Sequence, residues 1–174
     1  MNGMHGYKPD LAPVCALTMT IGKRQLIGDM ADARYQTGAI ETGTVSGPRI
    51  SGKVLPGAVD WAKVLSNGLL EPDVKLVIET DDGALIHVSY VGVVDMGPDA
   101  YDKARRGEPF GTIFHPRTVL RMRSSAPAYD WVNRRQFIGI GFLDFAQASP
   151  SINYDIYELA VPAPGTEQET PKWS

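Results

Sequence analysis

The sequence predicts an all-β protein: a small antiparallel β-barrel of lipocalin-like type, with an interior cavity and one short helix. Runs rich in β-branched and aromatic residues, separated by turn signals about every ten residues, indicate about nine to eleven short strands. Glycines inside several of these runs favour tightly curved strands, and therefore a barrel over a sandwich. They include Gly38, Gly43, Gly139 and Gly141.

The totals fit one globular domain. A chain of 174 residues with 43% hydrophobic and 21% charged residues can bury a core of its own. We expect a flexible N-terminal arm over residues 1–10, a single barrel domain over 11–161 and a disordered C-terminal tail over 162–174. The net charge of −3 argues against a general nucleic-acid surface.

The cellular compartment follows from what the chain lacks. No apolar run reaches the roughly eighteen residues that a membrane-spanning helix needs, so no membrane partner is expected. The N-terminus lacks the basic-then-apolar order of a signal peptide. The single cysteine, Cys15, excludes an internal disulfide and fits a reducing compartment, where we expect it to be a buried, inert thiol. The sequence therefore predicts a cytoplasmic protein.

Alternation of apolar and polar residues predicts the individual strands. Residues 11–21 place Cys15, Leu17 and Met19 on one face. Residues 74–80 and 84–94 flank an Asp-Asp-Gly turn and form the clearest hairpin. The helix is predicted over 98–106 and should end at Gly107. Further strands are predicted over residues 25–30, 34–45, 60–65, 117–123, 137–143 and 152–161.

Residues 47–61, GPRISGKVLPGAVDW, form the most distinctive stretch. They are too rich in Gly and Pro for a helix, so we expect short strand pieces that turn a corner and present Asp60 beside Trp61. Contact with the indole would desolvate the carboxyl group, raise its pKa and make it a usable proton acceptor. Alternatively, Asp60 caps a turn or pairs with a nearby cation.

Two later strands carry titratable or charged side chains at a period of two. His87 lies mid-strand on a mixed face, which lines a cavity in a barrel but meets solvent in a solid sandwich. Arg117, Arg121 and Arg123 share one face of their strand. Such guanidinium groups repel one another unless acidic side chains or an anionic ligand neutralise their charge. The alternative is an exposed edge strand that uses charge against aggregation.

Five segments together resemble the domain-of-unknown-function 3237 family, also called uncharacterised protein family 0311. They are GPRISGKVLPGAVDW (47–61), ETDDGALIHVSYVGV (79–93), RGEP (106–109), RT (117–118) and YDWVNRRQFIGIGF (129–142). The resemblance spans about residues 11–161, with the motifs in the family's order. It implies a small β-barrel, often oligomeric, with an interior cavity and no known cofactor.

Carried over motif by motif, the resemblance singles out Asp60–Trp61, Glu79–Thr80, Arg117–Thr118 and Trp131–Val132–Asn133. Two positions depart from the family's pattern. His87 stands where the family usually has a tyrosine, and Met122-Arg123-Ser124 stands where it commonly has Phe-Glu-Thr. Both departures lie in segments expected to line the cavity, so the substrate or the chemistry would differ from that of relatives.

No cofactor and no metal site are predicted. The three histidines, His5, His87 and His115, are far apart and show no paired-ligand spacing. A cavity site made of His87, His115 and an acid is the alternative. The sequence contains no phosphate loop, dinucleotide fingerprint or nucleophile elbow, which argues against nucleotide-dependent chemistry.

We therefore expect a cofactor-independent acid–base enzyme, a lyase or isomerase acting on a small hydroxylated, aromatic metabolite inside the barrel. Asp60 or His87 would accept the proton, and Arg117 or Arg121 would hold an enolate, phenolate or carboxylate. The other predicted substrate-binding residues are Trp61, Glu79, Tyr90, Arg123, Trp131 and Asn133.

Two other functions stay open: a carrier of a small hydrophobic metabolite, and an oligomer-forming accessory protein. The carrier would use the same cavity without changing its ligand. A homo-oligomer is expected for any of these functions, because a hollow small barrel leaves apolar surface on its outside.

Overall fold

The computed structural model describes residues 10–108, 111–145 and 150–160. In these ranges eleven strands form one sheet, accompanied by two short helices. The helices are α1 (Ala100–Arg106) and a 3-10 helix (Pro127–Arg134). The strands are β1 (Asp10–Asp29), β2 (Ala33–Ser46), β3 (Gly52–Val54), β4 (Val59–Leu65), β5 (Leu69–Glu71), β6 (Asp73–Thr80), β7 (Leu85–Asp95), β8 (Ile113–Phe114), β9 (Arg117–Arg123), β10 (Phe137–Asp144) and β11 (Ser151–Ala160).

The two predicted flanking segments lie almost wholly outside the described residues. Residues 1–9 of the predicted arm and the whole predicted tail, 162–174, lie outside the described residues. The last residue of the predicted arm, Asp10, is the first residue of β1.

The strand pairings close the sheet on itself. β1 pairs with β2 on one side and with β11 on the other. From β11 the antiparallel pairings run on through β10, β9, β7 and β6. β3 and β4 complete the ring, because each of them pairs with both β2 and β6. The predicted all-β fold is confirmed, and this ring of strands gives it a barrel-like form.

Period-two alternation decides which side chains enter the ring. On β1, Leu17 and Met19 are buried, whereas Thr18 between them is exposed. The inward side chains pack around Phe137 of β10 in one large core cluster. Burial of these apolar side chains supplies the main stabilisation of the fold.

The predicted hairpin forms between β6 and β7. Ile78 lies opposite Ile86 in its register, and Gly83 takes φ +83° in the turn, a conformation that favours glycine. The Asp82 carboxylate accepts hydrogen bonds from the hydroxyl groups of Thr80 and Tyr129, the latter at 3.0 Å. These contacts fasten the turn to the 3-10 helix.

Three local features differ from the sequence prediction. β1 continues where a break was expected before residue 25, because shifts of register against β2 absorb the irregular residues. β3 is one of the short strand pieces expected within residues 47–61, whereas β5 and β8 were not predicted, since strands of two or three residues are too short for alternation to show. The prediction of a single helix is wrong, because a 3-10 helix also forms over Pro127–Arg134.

The 3-10 helix covers one end of the core. Trp131 meets the ring of Phe137 edge-on, with 5.9 Å between ring centroids. The Arg49 guanidinium lies 3.6 Å from the centroid of the Trp131 ring. Arg49 and Arg135 both pair with the buried carboxylate of Glu158, Arg135 at 3.2 Å. This end of the core is therefore closed by the packed rings of Trp131 and Phe137 and by the Glu158 carboxylate, whose charge the two arginines neutralise.

We expect Glu158→Gln to lower the free energy of unfolding by about 1 to 3 kcal/mol, because two cations lose their buried partner. The matched control is Glu79→Gln, which removes an exposed ion pair with Lys53 on the outer face and should change stability little. Urea unfolding of both variants provides the measurement. Equal losses would contradict a structural role for the Glu158 cluster.

Candidate functional site

A cavity opens at the end of the sheet away from the 3-10 helix. Along β11, Tyr154 lines this cavity, whereas Glu158 lies four residues further on at the closed end. The space amounts to about 610 Å³ when its open mouth is included. Of the sixteen lining residues, eleven are apolar or glycine. The five polar ones are Arg24, Gln36, Asp60, Tyr90 and Tyr154.

Asp60 stands in the wall of the cavity on β4. It lies opposite Gly38 of β2 and Val74 of β6, so backbone on both sides fixes its position. The backbone N–H of Asp73 donates a hydrogen bond to its Oδ1 at 3.1 Å. Burial raises the pKa of Asp60 from 3.8 to about 6; the Asp73 N–H opposes this shift and the Asp73 charge adds to it. Asp60 is thus largely ionised at neutral pH and still a usable base.

Two tyrosines line the cavity together with Asp60. Tyr90 of β7 and Tyr154 of β11 are 3% and 2% exposed, and their rings meet edge-on with centroids 5.5 Å apart. Burial raises the pKa of both phenols, and the negative charge of Asp60 raises them further. Both hydroxyl groups therefore keep their protons. The buried Tyr154 hydroxyl meets no described residue at good hydrogen-bond geometry, although the neighbouring Tyr90 side chain lowers its pKa, so the fold leaves this donor unsatisfied at the cavity.

Arg24 and Gln36 add polar groups to the lining. Arg24, on β1, is exposed and lies opposite Gly38. Its guanidinium carbon is 5.3 Å from the centroid of the Phe145 ring, which also lines the cavity. Gln36 and Gly38 are two residues apart on β2 and therefore share a face.

Among the predicted site residues, the structure brings Asp60 and Tyr90 together in the cavity. Trp61 does not join them: its side chain is 55% exposed on the outer face. Adjacent residues of a strand point to opposite faces, so Trp61 cannot desolvate Asp60. The expected cause of the raised pKa is wrong, and burial by the cavity wall takes its place.

The structure does not bring the predicted histidine and arginines to Asp60. His87, Arg117, Arg121 and Arg123 are all exposed on the outer face of β7 and β9. Their expected position inside the barrel is wrong, because the apolar residues that alternate with them occupy the inner face. The edge-strand alternative fails too, since β9 pairs with both β7 and β10.

The remaining predicted residues make contacts within the fold, outside the cavity. Glu79 pairs with Lys53 at 2.7 Å on the outer face. The Asn133 side chain donates to the carbonyl of Ser124 at 2.8 Å and accepts from its N–H at 3.1 Å. Trp131 belongs to the closed end of the core.

Sequence reasoning missed three polar lining residues: Arg24, Gln36 and Tyr154. Tyr154 had a signal, because it alternates with Ile152 and Ile156 and so shares their inner face. Arg24 had none, since it sits in a segment where exposed residues follow one another without alternation.

The described ranges hold neither a recognisable metal site nor a membrane-spanning helix. No group of three or more His, Cys, Asp or Glu side chains in them is arranged to hold a metal ion. The same residues include no helix that is both long and apolar enough to cross a membrane.

The raised pKa predicts a pH-dependent stability. Because the pKa of Asp60 is higher in the folded protein than in the unfolded chain, ionisation destabilises the fold as pH rises from about 4 to about 6. We expect Asp60→Asn to raise the free energy of unfolding by about 2 to 3 kcal/mol near neutral pH, and to change it little near pH 4. Denaturant unfolding at both pH values measures this. The control is Asp155→Asn, at an exposed position on β11, which should change the free energy of unfolding little at either pH. Destabilisation by Asp60→Asn at both pH values would contradict a raised pKa for Asp60.

Relatives of known structure share this fold. A UPF0311 protein of Rhodopseudomonas palustris is 34% identical over 128 residues, which are 72% of this chain and 83% of that protein. Its crystal structure, of a conserved protein of unknown function, matches with a TM-score of 0.75 at 28% identity and covers 88% of this chain and 99% of the other.

Two more distant structures match in fold alone. A β-barrel-like protein from Acinetobacter baumannii has a TM-score of 0.74 at 24% identity, covering 91% of this chain and 100% of the other. An enzyme from Penicillium herquei has a TM-score of 0.64 at 16% identity, covering 91% and 99%. The family described as "Protein of unknown function (DUF3237)" matches residues 9–159. The resemblance noted in the motifs is thereby confirmed, and the chain belongs to the DUF3237 family.

Proposed function

We propose that this chain is a cofactor-independent acid–base enzyme, a lyase or isomerase acting on a small hydroxylated, aromatic metabolite in its cavity. The observation that carries the proposal is Asp60, a carboxyl group with a pKa near 6 that faces a largely apolar cavity beside two tyrosines. Perturbed carboxyl groups in such cavities are typical of proton-transfer sites. Aromatic rings of Tyr90, Tyr154 and Phe145 favour a flat substrate.

In the proposed reaction, the Asp60 carboxylate removes a proton from a carbon next to a substrate carbonyl. The electron pair of the broken C–H bond moves onto the carbonyl oxygen, and the Tyr154 hydroxyl donates a hydrogen bond to that oxyanion. An isomerase returns the proton from Asp60 to another atom of the same substrate. A lyase uses it to protonate a leaving group that the enolate expels, so neither reaction needs a further reactant.

The fold is compatible with catalysis. The Penicillium herquei protein that shares it is described as an enzyme. At 16% identity no residue role passes from that protein to this chain, and the proposal therefore depends on the cavity's own residues.

We expect Asp60→Asn to lower kcat/KM by about a hundredfold to ten-thousandfold and Tyr154→Phe by about a hundredfold. In the wild type, kcat/KM should rise with pH through an inflection near 6, because Asp60 must be ionised to accept a proton. Uptake of deuterium from D₂O into a panel of hydroxylated aromatic ketones, followed by mass spectrometry, detects proton abstraction whatever the product.

The discriminating control is His87→Gln, since His87 was the other predicted base and lies on the outer face. This variant should keep wild-type exchange rates. If His87→Gln loses exchange and Asp60→Asn retains it, the reaction does not take place in the cavity.

A carrier of a small hydrophobic metabolite is the second candidate, favoured by the eleven apolar or glycine residues among the sixteen in the lining. Recovery of a tightly bound ligand unchanged, without deuterium uptake, would support the carrier and count against the enzyme.

The predicted homo-oligomer and the predicted cytoplasmic location stay predictions. An apolar surface on the outer face of β7, β9 and β10 is where a second copy would pack. Its exposed residues are Val91, Val93, Val119, Ile140 and Phe142.

A further inference from the structure

Three residues form a row across three neighbouring strands at the cavity. Arg24 of β1 lies opposite Gly38 of β2, and Gly38 lies opposite Asp60 of β4. A Cβ atom added to Gly38 would lie 3.9 Å from Cγ of Arg24 and 4.0 Å from Cβ of Asp60. The cation and the carboxylate therefore flank a position that has no side chain, with their Cα atoms about 10 Å apart across two strand spacings.

The cation of this row has no acidic partner in the described part of the chain. Among those residues Arg24 forms no ion pair, and its contact is with the face of the Phe145 ring. A guanidinium group stacked on a ring keeps its in-plane N–H donors free to bind a carboxylate. Gln36 lines the same cavity, on the same face of β2 as Gly38, and its side-chain amide is a further hydrogen-bond donor.

Charge decides which part of a ligand can lie where. Asp60 would repel an anion placed at its own end of the row, whereas Arg24 would attract one. The other lining residues carry no ionised group that could compensate an anion. A ligand with one anionic group thus has one favourable orientation, with its neutral, reacting end over Gly38 and at Asp60.

We propose that Arg24 is a specificity-determining residue that selects substrates carrying a carboxylate and directs their reacting end towards Asp60. This inference rests on the proposed function only where it assigns the reaction to Asp60. The preference for an anionic ligand is argued independently, from Arg24, Gly38 and the cavity lining. Because Arg24 is exposed, water and salt weaken the attraction.

Two probes of nearly the same shape, one anionic and one neutral, test this proposal: 4-hydroxyphenylacetate and its amide, 4-hydroxyphenylacetamide. We expect the wild type to bind the carboxylate about fivefold more tightly than the amide at low ionic strength, with the preference falling as salt is added. Arg24→Gln should abolish the preference, and Arg24→Lys should keep part of it. Arg121→Gln, which removes an exposed arginine of the outer face, should leave it intact. Isothermal titration calorimetry measures all four proteins.

The proposal is overturned if Arg24→Gln keeps the wild-type preference, if Arg121→Gln loses it, or if neither probe binds at millimolar concentration. Asp60→Asn separates this proposal from the proposed function. It should strengthen binding of the carboxylate, because a repelling charge is removed, while deuterium exchange is lost. Retained exchange in Asp60→Asn with an Arg24-dependent preference would reject the assigned base and leave the specificity role standing.

Discussion

Asp60 holds a negative charge inside a ring of paired strands, and the cost of removing that charge from water shapes the rest of the site. β4 is fixed between β2 and β6, so the carboxylate cannot turn outward without disturbing backbone pairing on both sides. One hydrogen bond from the Asp73 N–H offsets part of the desolvation. The burial that weakens the fold near neutral pH also gives the carboxyl group a pKa suited to proton transfer. Stability and the proposed activity are therefore opposed at this residue.

The two ends of the sheet each contain a carboxylate, but only one of these carboxylates is neutralised by neighbouring cations. At the closed end, Glu158 is held by two arginines, one of which stacks on Trp131, so its charge serves the packing of the 3-10 helix. At the open end, Asp60 and Arg24 are kept apart by Gly38 and leave a gap between opposite charges. The first arrangement neutralises a charge within the protein, and the second leaves both charges to interact with a ligand.

Local patterns predicted the strands well and the site only in part. Alternation is a property of neighbouring residues, so the sequence predicted the faces of β1 and the β6–β7 hairpin. It identified Asp60 as a perturbed acid but assigned the wrong cause, because Trp61 is adjacent and must point away. Tyr154, a real neighbour in space, is distant in the chain. The arginines were grouped correctly on one face, yet buried Leu120 beside Arg121 shows that this face is the outer one. The 3-10 helix was not predicted, because its eight residues form only a short segment, which begins at a proline.

A direct titration of Asp60 tests the central claim. In carbon-13 NMR of protein labelled at aspartate carboxyl groups, Asp60→Asn identifies the signal of Asp60, and its chemical shift is followed with pH. Burial in the cavity predicts a midpoint near 6. A midpoint at or below the ordinary aspartate value of 3.8 would show that water or a cation solvates the carboxylate, and the cavity would then hold no base of the proposed kind.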